Sequence, residues 1–213
     1  MGTVWLLPVV TLIVASSTGG LLSAALHPQS ATLAFLTTGI SFTMVIIGLS
    51  LAMMMITVYL ARLIIYGPLD ANLILSAFIV LGPFGQGGYS LLVNGANLAA
   101  LFPVHNTGEF PMSSMTGQLL YSFCFCLSYI LWSMGICWIC IAVLSIFSVL
   151  KQSGTPNFGL AYWGLIFPNG VYALLSVQLG TALDSEFFRV FGALWSCMFS
   201  VSFPFHSPLT ACP

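Results

Sequence analysis

Residues 79–90 read IVLGPFGQGGYS, and the tract around them, Ala71–Gly108, contains no Asp, Glu, Lys or Arg. A run this apolar suits hydrocarbon, yet Pro83 and four glycines, Gly82, Gly85, Gly87 and Gly88, stand near its middle. Proline removes a backbone donor and crowds the carbonyl one turn earlier. In a bilayer such a break is tolerated only where the freed groups face protein or a wet cavity. This stretch therefore reads as an inner helix of a membrane bundle.

The composition of the whole chain agrees. Of its 213 residues 59% are hydrophobic and 3% charged, whereas soluble domains carry about 25% charged residues. The charged side chains are confined to Arg62 and Asp70, Glu109, Lys151, and the group Asp184, Glu186 and Arg189, which marks the ends that meet water. A net charge of -1 offers no basic surface for nucleic acid and no polybasic strip for anionic lipid.

A helix needs about 20 apolar residues to cross a bilayer. On that measure one transmembrane domain, residues 1–213, contains six spans: Val4–Leu26, Thr32–Leu60, Asn72–Leu92, Gly117–Leu150, Phe158–Leu179 and Phe188–Phe205. Period-2 alternation is absent, which disfavours a β-barrel and makes the fold all-α. The first span lacks a basic leader and is too long for a signal peptide core, so it is expected to be retained. Arg62 and Lys151 fall on the side of the N-terminus and Arg189 on the other. The positive-inside rule then places both termini in the cytoplasm, with Phe102–Thr116 and Asp184–Arg189 outside. A cysteine introduced at Asn106 should accept an impermeant thiol reagent on intact cells; labelling only after permeabilisation would reverse the orientation.

Catalysis in a membrane needs acid, base, nucleophile or ligand groups converging at one depth. No span interior carries Asp, Glu, Lys, Arg or His, so an enzyme is not expected. The CWIC pair, Cys137 and Cys140, has zinc-like spacing but lacks a second half-site; no metal and no cofactor are expected. His27, His105 and His206 sit at span ends or in a loop, where an interfacial imidazole is ordinary.

The helix breakers fall on alternate spans. Pro8 with Gly19-Gly20 marks the first, GPFGQGG the third and FPNG, Phe167–Gly170, the fifth, whereas the second and fourth have no proline. This is a weak internal repeat of three hairpins, each pairing a broken inner helix with a smoother outer one. Isolated glycines read as close helix packing. The clustered Gly82, Pro83, Gly85 and Gln86 read as a cavity, and with hydroxyls such as Ser17 they make a candidate anion path.

The stretches LGPFGQGGYSLL, WLLPVVTLIVASSTGG and FGLAYWGLIFPNGVYALLSVQLGTALDSEFFRVFGAL resemble the tellurite-resistance/dicarboxylate transporter family over about Val4–Trp195. Within that family they are most similar to the fungal sulfite efflux pumps. The malic acid permease branch is expected to carry GPPxFT-like residues where this chain has Gly82-Pro83-Phe84-Gly85-Gln86. The resemblance implies a ten-helix fold of five hairpins around an anion pore, often a homotrimer, of which this chain matches the last three hairpins. It also implies that Phe167, beside Pro168, plugs the pore. The tail from Cys197, CMFSVSFPFHSPLTACP, departs from the family's apolar last helix.

The implied function is sulfite efflux across a fungal plasma membrane. The alternatives are malate or C4-dicarboxylate transport, or a nonconducting truncated fragment. Efflux needs no titratable relay, because a negative interior drives an anion outward by about 2.3 kcal/mol per charge per 100 mV.

Overall fold

The computed structural model describes residues 6–67, 74–102, 114–153 and 165–202. The loop with His105, Asn106 and Glu109, Asp70, the start of the expected fifth span, and the tail with Pro204, His206 and Cys212 lie outside the described residues. Among the described residues there are six α-helices and no strand: α1 (Leu7–Leu26), α2 (Ala31–Tyr66), α3 (Leu81–Leu101), α4 (Ser114–Ser153), α5 (Ile166–Ala182) and α6 (Glu186–Ser202). A 3-10 segment, Ile74–Val80, leads directly into α3. By length and composition α1, α2 and α4 can cross a membrane.

The prolines do not break these helices in mid-course. Pro8, Pro83 and Pro168 each fall within the first three residues of α1, α3 and α5. There the missing N–H had no intrahelical partner to lose. Upstream of Pro83 the chain is a tighter 3-10 helix, Ile74–Val80. The expectation of freed backbone groups in the middle of the inner spans is thus corrected: the irregularity lies before the first turn, and the GPFGQGG residues are fully α-helical.

Turn chemistry sets the other helix ends. The Ser30 hydroxyl caps α2 by accepting from Leu33 N–H at 3.4 Å. That helix ends at Gly67, whose φ of 76° is open to glycine without steric cost. Between α5 and α6, Asp184 takes a φ of 49°, a conformation Asp tolerates. Arg189 Nη2 donates to its carboxylate at 2.7 Å.

Successive helices pack as antiparallel hairpins, α1 with α2, α3 with α4 and α5 with α6. The inner members touch in the order α1, α3, α5, with α3 central and no extensive α1–α5 contact. Every residue of α3 from Leu81 to Gly88 is buried. Hydroxyl bonding separates the layers. On exposed faces of the outer helices Thr43, Ser50, Ser133 and Ser148 donate back to the carbonyl one turn earlier, which hides the group from lipid. Buried hydroxyls cross between helices: Ser16 to Ser41 O at 2.6 Å, Ser23 to Ala34 O at 2.8 Å and Ser128 to Gly88 O at 2.8 Å.

Missing side chains let the helices approach. A Cβ on Gly85 would lie 2.6 Å from Tyr172 N and 2.8 Å from its Cα, so α3 and α5 touch backbone to backbone there. Gly87 faces Leu49 of α2, and Gly88 faces Leu175 of α5. Close packing between helices in lipid depends on such small residues. At Gly85, Gly87 and Gly88, the space expected as a cavity is occupied by neighbouring helices. Aromatic contacts then tie α6 to α4, with Trp132 edge-on to Phe188 at 4.9 Å and to Phe191 at 5.6 Å. Tyr172 OH donates to Trp132 O at 2.6 Å, joining α5 to α4.

Candidate functional site: a polar seam between inner helices

On α3, Gln86, Ser90, Asn94 and Asn97 follow each other at intervals of four, four and three residues, which places them on one helical face. All four meet α1. Gln86 Nε2 donates to Ser17 Oγ, and Ser17 Oγ donates onward to Val14 O at 2.8 Å. Ser16 and Ser90 share a hydroxyl–hydroxyl bond of 2.7 Å. Asn94 Nδ2 donates to Ser90 O at 2.9 Å, and Asn97 Nδ2 to Gly20 O at 2.6 Å. Asn94 is fully buried and its Oδ1 accepts no hydrogen bond.

Two residues expected on the solute path, Ser17 and Gln86, are therefore in direct contact although 69 residues apart in the chain. The Ser17 hydroxyl hydrogen is engaged by Val14 O, which leaves the second amide hydrogen of Gln86 as the uncommitted donor of this pair. Ser16, Ser90 and Asn94 were not among the expected site residues. The four-residue spacing of Ser90 and Asn94 with Gln86 is visible in the sequence, but neutral amides and hydroxyls carry none of the acid, base or metal-ligand character that marks a site, and nothing in the sequence ties Ser16 to them.

At the start of the seam Phe167 is 44% exposed in the first turn of α5, while Pro168 beside it is buried. The Phe167 ring lies near Gly82, where a Cβ would sit 3.8 Å from a ring carbon and 3.9 Å from Val10. Gly82, Pro83 and Phe167 thus gather where the inner helices begin, and Gly85 lies against α5 one turn further in. At the opposite end a pocket of about 130 Å³ is lined by Ser23, Ala24, His27, Asn97, Ala100 and Leu101. Helices α1, α3 and α5 carry no Asp, Glu, Lys, Arg or His. A neutral seam of amides and hydroxyls can bond a small anion without a fixed charge to trap it.

The sequence model of a family described as voltage-dependent anion channel, SLAC1, matches residues 1–205. The sulfite efflux pump of Trichophyton rubrum is 30% identical over 207 residues, which cover 95% of this chain and 52% of the pump. That of Candida albicans is 30% identical over 215 residues, covering 91% and 42%. An uncharacterized transporter of Methanocaldococcus jannaschii is 27% identical over 172 residues, covering 79% and 43%. The chain spans about half the length of the curated relatives it matches. No solved structure gives a significant match.

Proposed function

Since this chain belongs to the SLAC1 voltage-dependent anion channel family, we propose that its inner helices line part of a transmembrane path for a small anion, and that the anion is sulfite leaving the cell. The observation that carries this reading is the polar seam of α1 and α3, which contains amides and hydroxyls but no ionisable acid or base. Outward movement of an anion is driven by the membrane potential alone, so no proton relay is required. The names of the fungal relatives supply the substrate, and their half-coverage is why it stands as a proposal. The family is one of channels and transporters, and we assign no catalytic role. A ten-helix, five-hairpin ring, a trimer and the plasma membrane are the assembly and location that go with this reading.

In this scheme Gln86 offers its amide hydrogen to the solute and Ser17 positions that amide. Gly82, Pro83 and Gly85 bring α3 close to its neighbours. Phe167, held by Pro168 at the start of α5, is the gate. In a full-length homologue carrying these residues, Phe167→Ala should raise sulfite flux about tenfold, the size expected when roughly 1.4 kcal/mol of barrier is removed. Flux into vesicles, measured in parallel with sulfite and malate, checks both gate and substrate. A larger malate flux would transfer the assignment to dicarboxylate transport. Unchanged flux from a well-expressed variant would leave Phe167 as a packing residue.

A further inference from the structure

The buried face of α2 runs from Ala34 through Ser41, Gly48 and Ile56 to Tyr59. Arg62 lies one step further on that stripe, three residues beyond Tyr59. Its guanidinium Nη1 is buried and has no hydrogen-bond partner. Among the described residues Arg189 has a carboxylate partner, Asp184, whereas Arg62 has none.

Arg62 is not simply held in bulk water. Ile64, Ile65 and Tyr66, the next residues of α2, are 76%, 71% and 78% exposed. Side chains of that kind on the outer surface of a membrane helix face lipid, so the interface extends past Arg62. Tyr59, three residues before Arg62, packs against Trp138 with ring centroids 5.8 Å apart, and both rings are buried in the core. Helix register fixes the height: Gly48 faces Ile13, and at 1.5 Å per residue Arg62 stands about 12 Å beyond the start of α1. The positive N-terminal ends of α1, α3 and α5 lie at this same end of the bundle. A guanidinium nitrogen buried without a partner just beyond this aromatic pair is costly unless an anion meets the group.

We infer that Arg62 holds an oxyanion at this end of the bundle, its planar fork matching two oxygens of one phosphate or sulfite group. The same chemistry is supplied by the headgroup of an anionic phospholipid and by a free anion. The site stands apart from the seam, so loss of sulfite flux with binding at Arg62 intact would remove the transport proposal and leave this one.

The test uses the 213-residue chain in nanodiscs. Retention of phosphatidic acid after transfer to a neutral detergent is measured by native mass spectrometry, and sulfite-induced thermal shifts are measured in pure phosphatidylcholine discs. Arg62→Met should weaken one of these by about tenfold or more, the loss expected for a charge-assisted bidentate pair. Arg62→Lys, which keeps the charge but not the fork, should lose only part of it, and it serves if the Met variant fails to fold. A difference confined to phosphatidic acid identifies a headgroup site; one confined to sulfite in neutral discs identifies a free-anion site. Equal retention and equal shifts in wild type and Arg62→Met overturn the inference. So does Asp70→Asn reproducing the stability loss of Arg62→Met with no change in binding, which would make the pair internal.

Discussion

Alanine in place of Gly85 is expected to lower the thermal stability of the protein more than any other single-methyl addition in α3. The added Cβ would stand 2.6 Å from Tyr172 N, 2.8 Å from Tyr172 Cα and 2.8 Å from Val171 C. All three are backbone atoms, so no side-chain rotation can relieve the overlap, and α3 and α5 must separate. Separation also strains the contact of Gly88 with Leu175 and the Tyr172–Trp132 hydrogen bond. Overpacking of this kind costs about 1–3 kcal/mol, which outweighs the gain of about 1 kcal/mol from the better helix propensity of alanine. Gly170→Ala is the control, because a Cβ there meets nothing within 4 Å. Thermal unfolding in detergent should show Gly85→Ala falling while Gly170→Ala holds or rises; equal behaviour would mean that the α3–α5 contact is looser than described.

In vesicles holding no other protein the chain by itself is expected to carry sulfite no faster than empty vesicles do. Helix α3 lies between α1 and α5, and these two make no extensive contact, so the inner layer is an open arc. Exposed residues along its ends, Leu7 and Leu22 on α1, Phe167, Leu174 and Val177 on α5, are apolar and meet lipid unless protein covers them. An anion moving along such a surface has no continuous polar wall and no enclosed water. The cost arises there and not from unsatisfied backbone, since Pro8, Pro83 and Pro168 all sit in first turns. Co-reconstitution with the segment of a sulfite efflux pump that this chain does not match should restore flux. Transport by the purified chain at the rate of a full-length relative would sink the five-hairpin proposal and require a pore built from repeated copies.

Much of the architecture was legible because hydrocarbon imposes few solutions. Charge depletion dictates membrane helices, and breaker residues on alternate tracts separate inner from outer helices without any knowledge of contacts. The α1–α2, α3–α4 and α5–α6 hairpins follow from chain order and short connections. The neutral stripe Gln86, Ser90, Asn94 is also written in the sequence as polar residues at four-residue spacing in an apolar tract.

Tertiary structure alone decided what the missing side chains mean. A glycine in a sequence is equally consistent with a void and with a contact; at Gly85 the answer depends on where α5 lies, 87 residues further along at Tyr172. The meaning of Pro83 likewise depends on where its helix begins. In an apolar tract read from Asn72 it is a mid-span break, whereas the 3-10 segment Ile74–Val80 moves the α-helical start to Leu81 and makes it a first-turn residue. Arg62 reads in sequence as a loop-side cation, and only the phase of the buried stripe of α2 turns it inward. Burial in lipid is set by residue type and can be read along the chain, but contact and cavity are properties of pairs of helices, and their register is fixed only when the side chains of both are packed together.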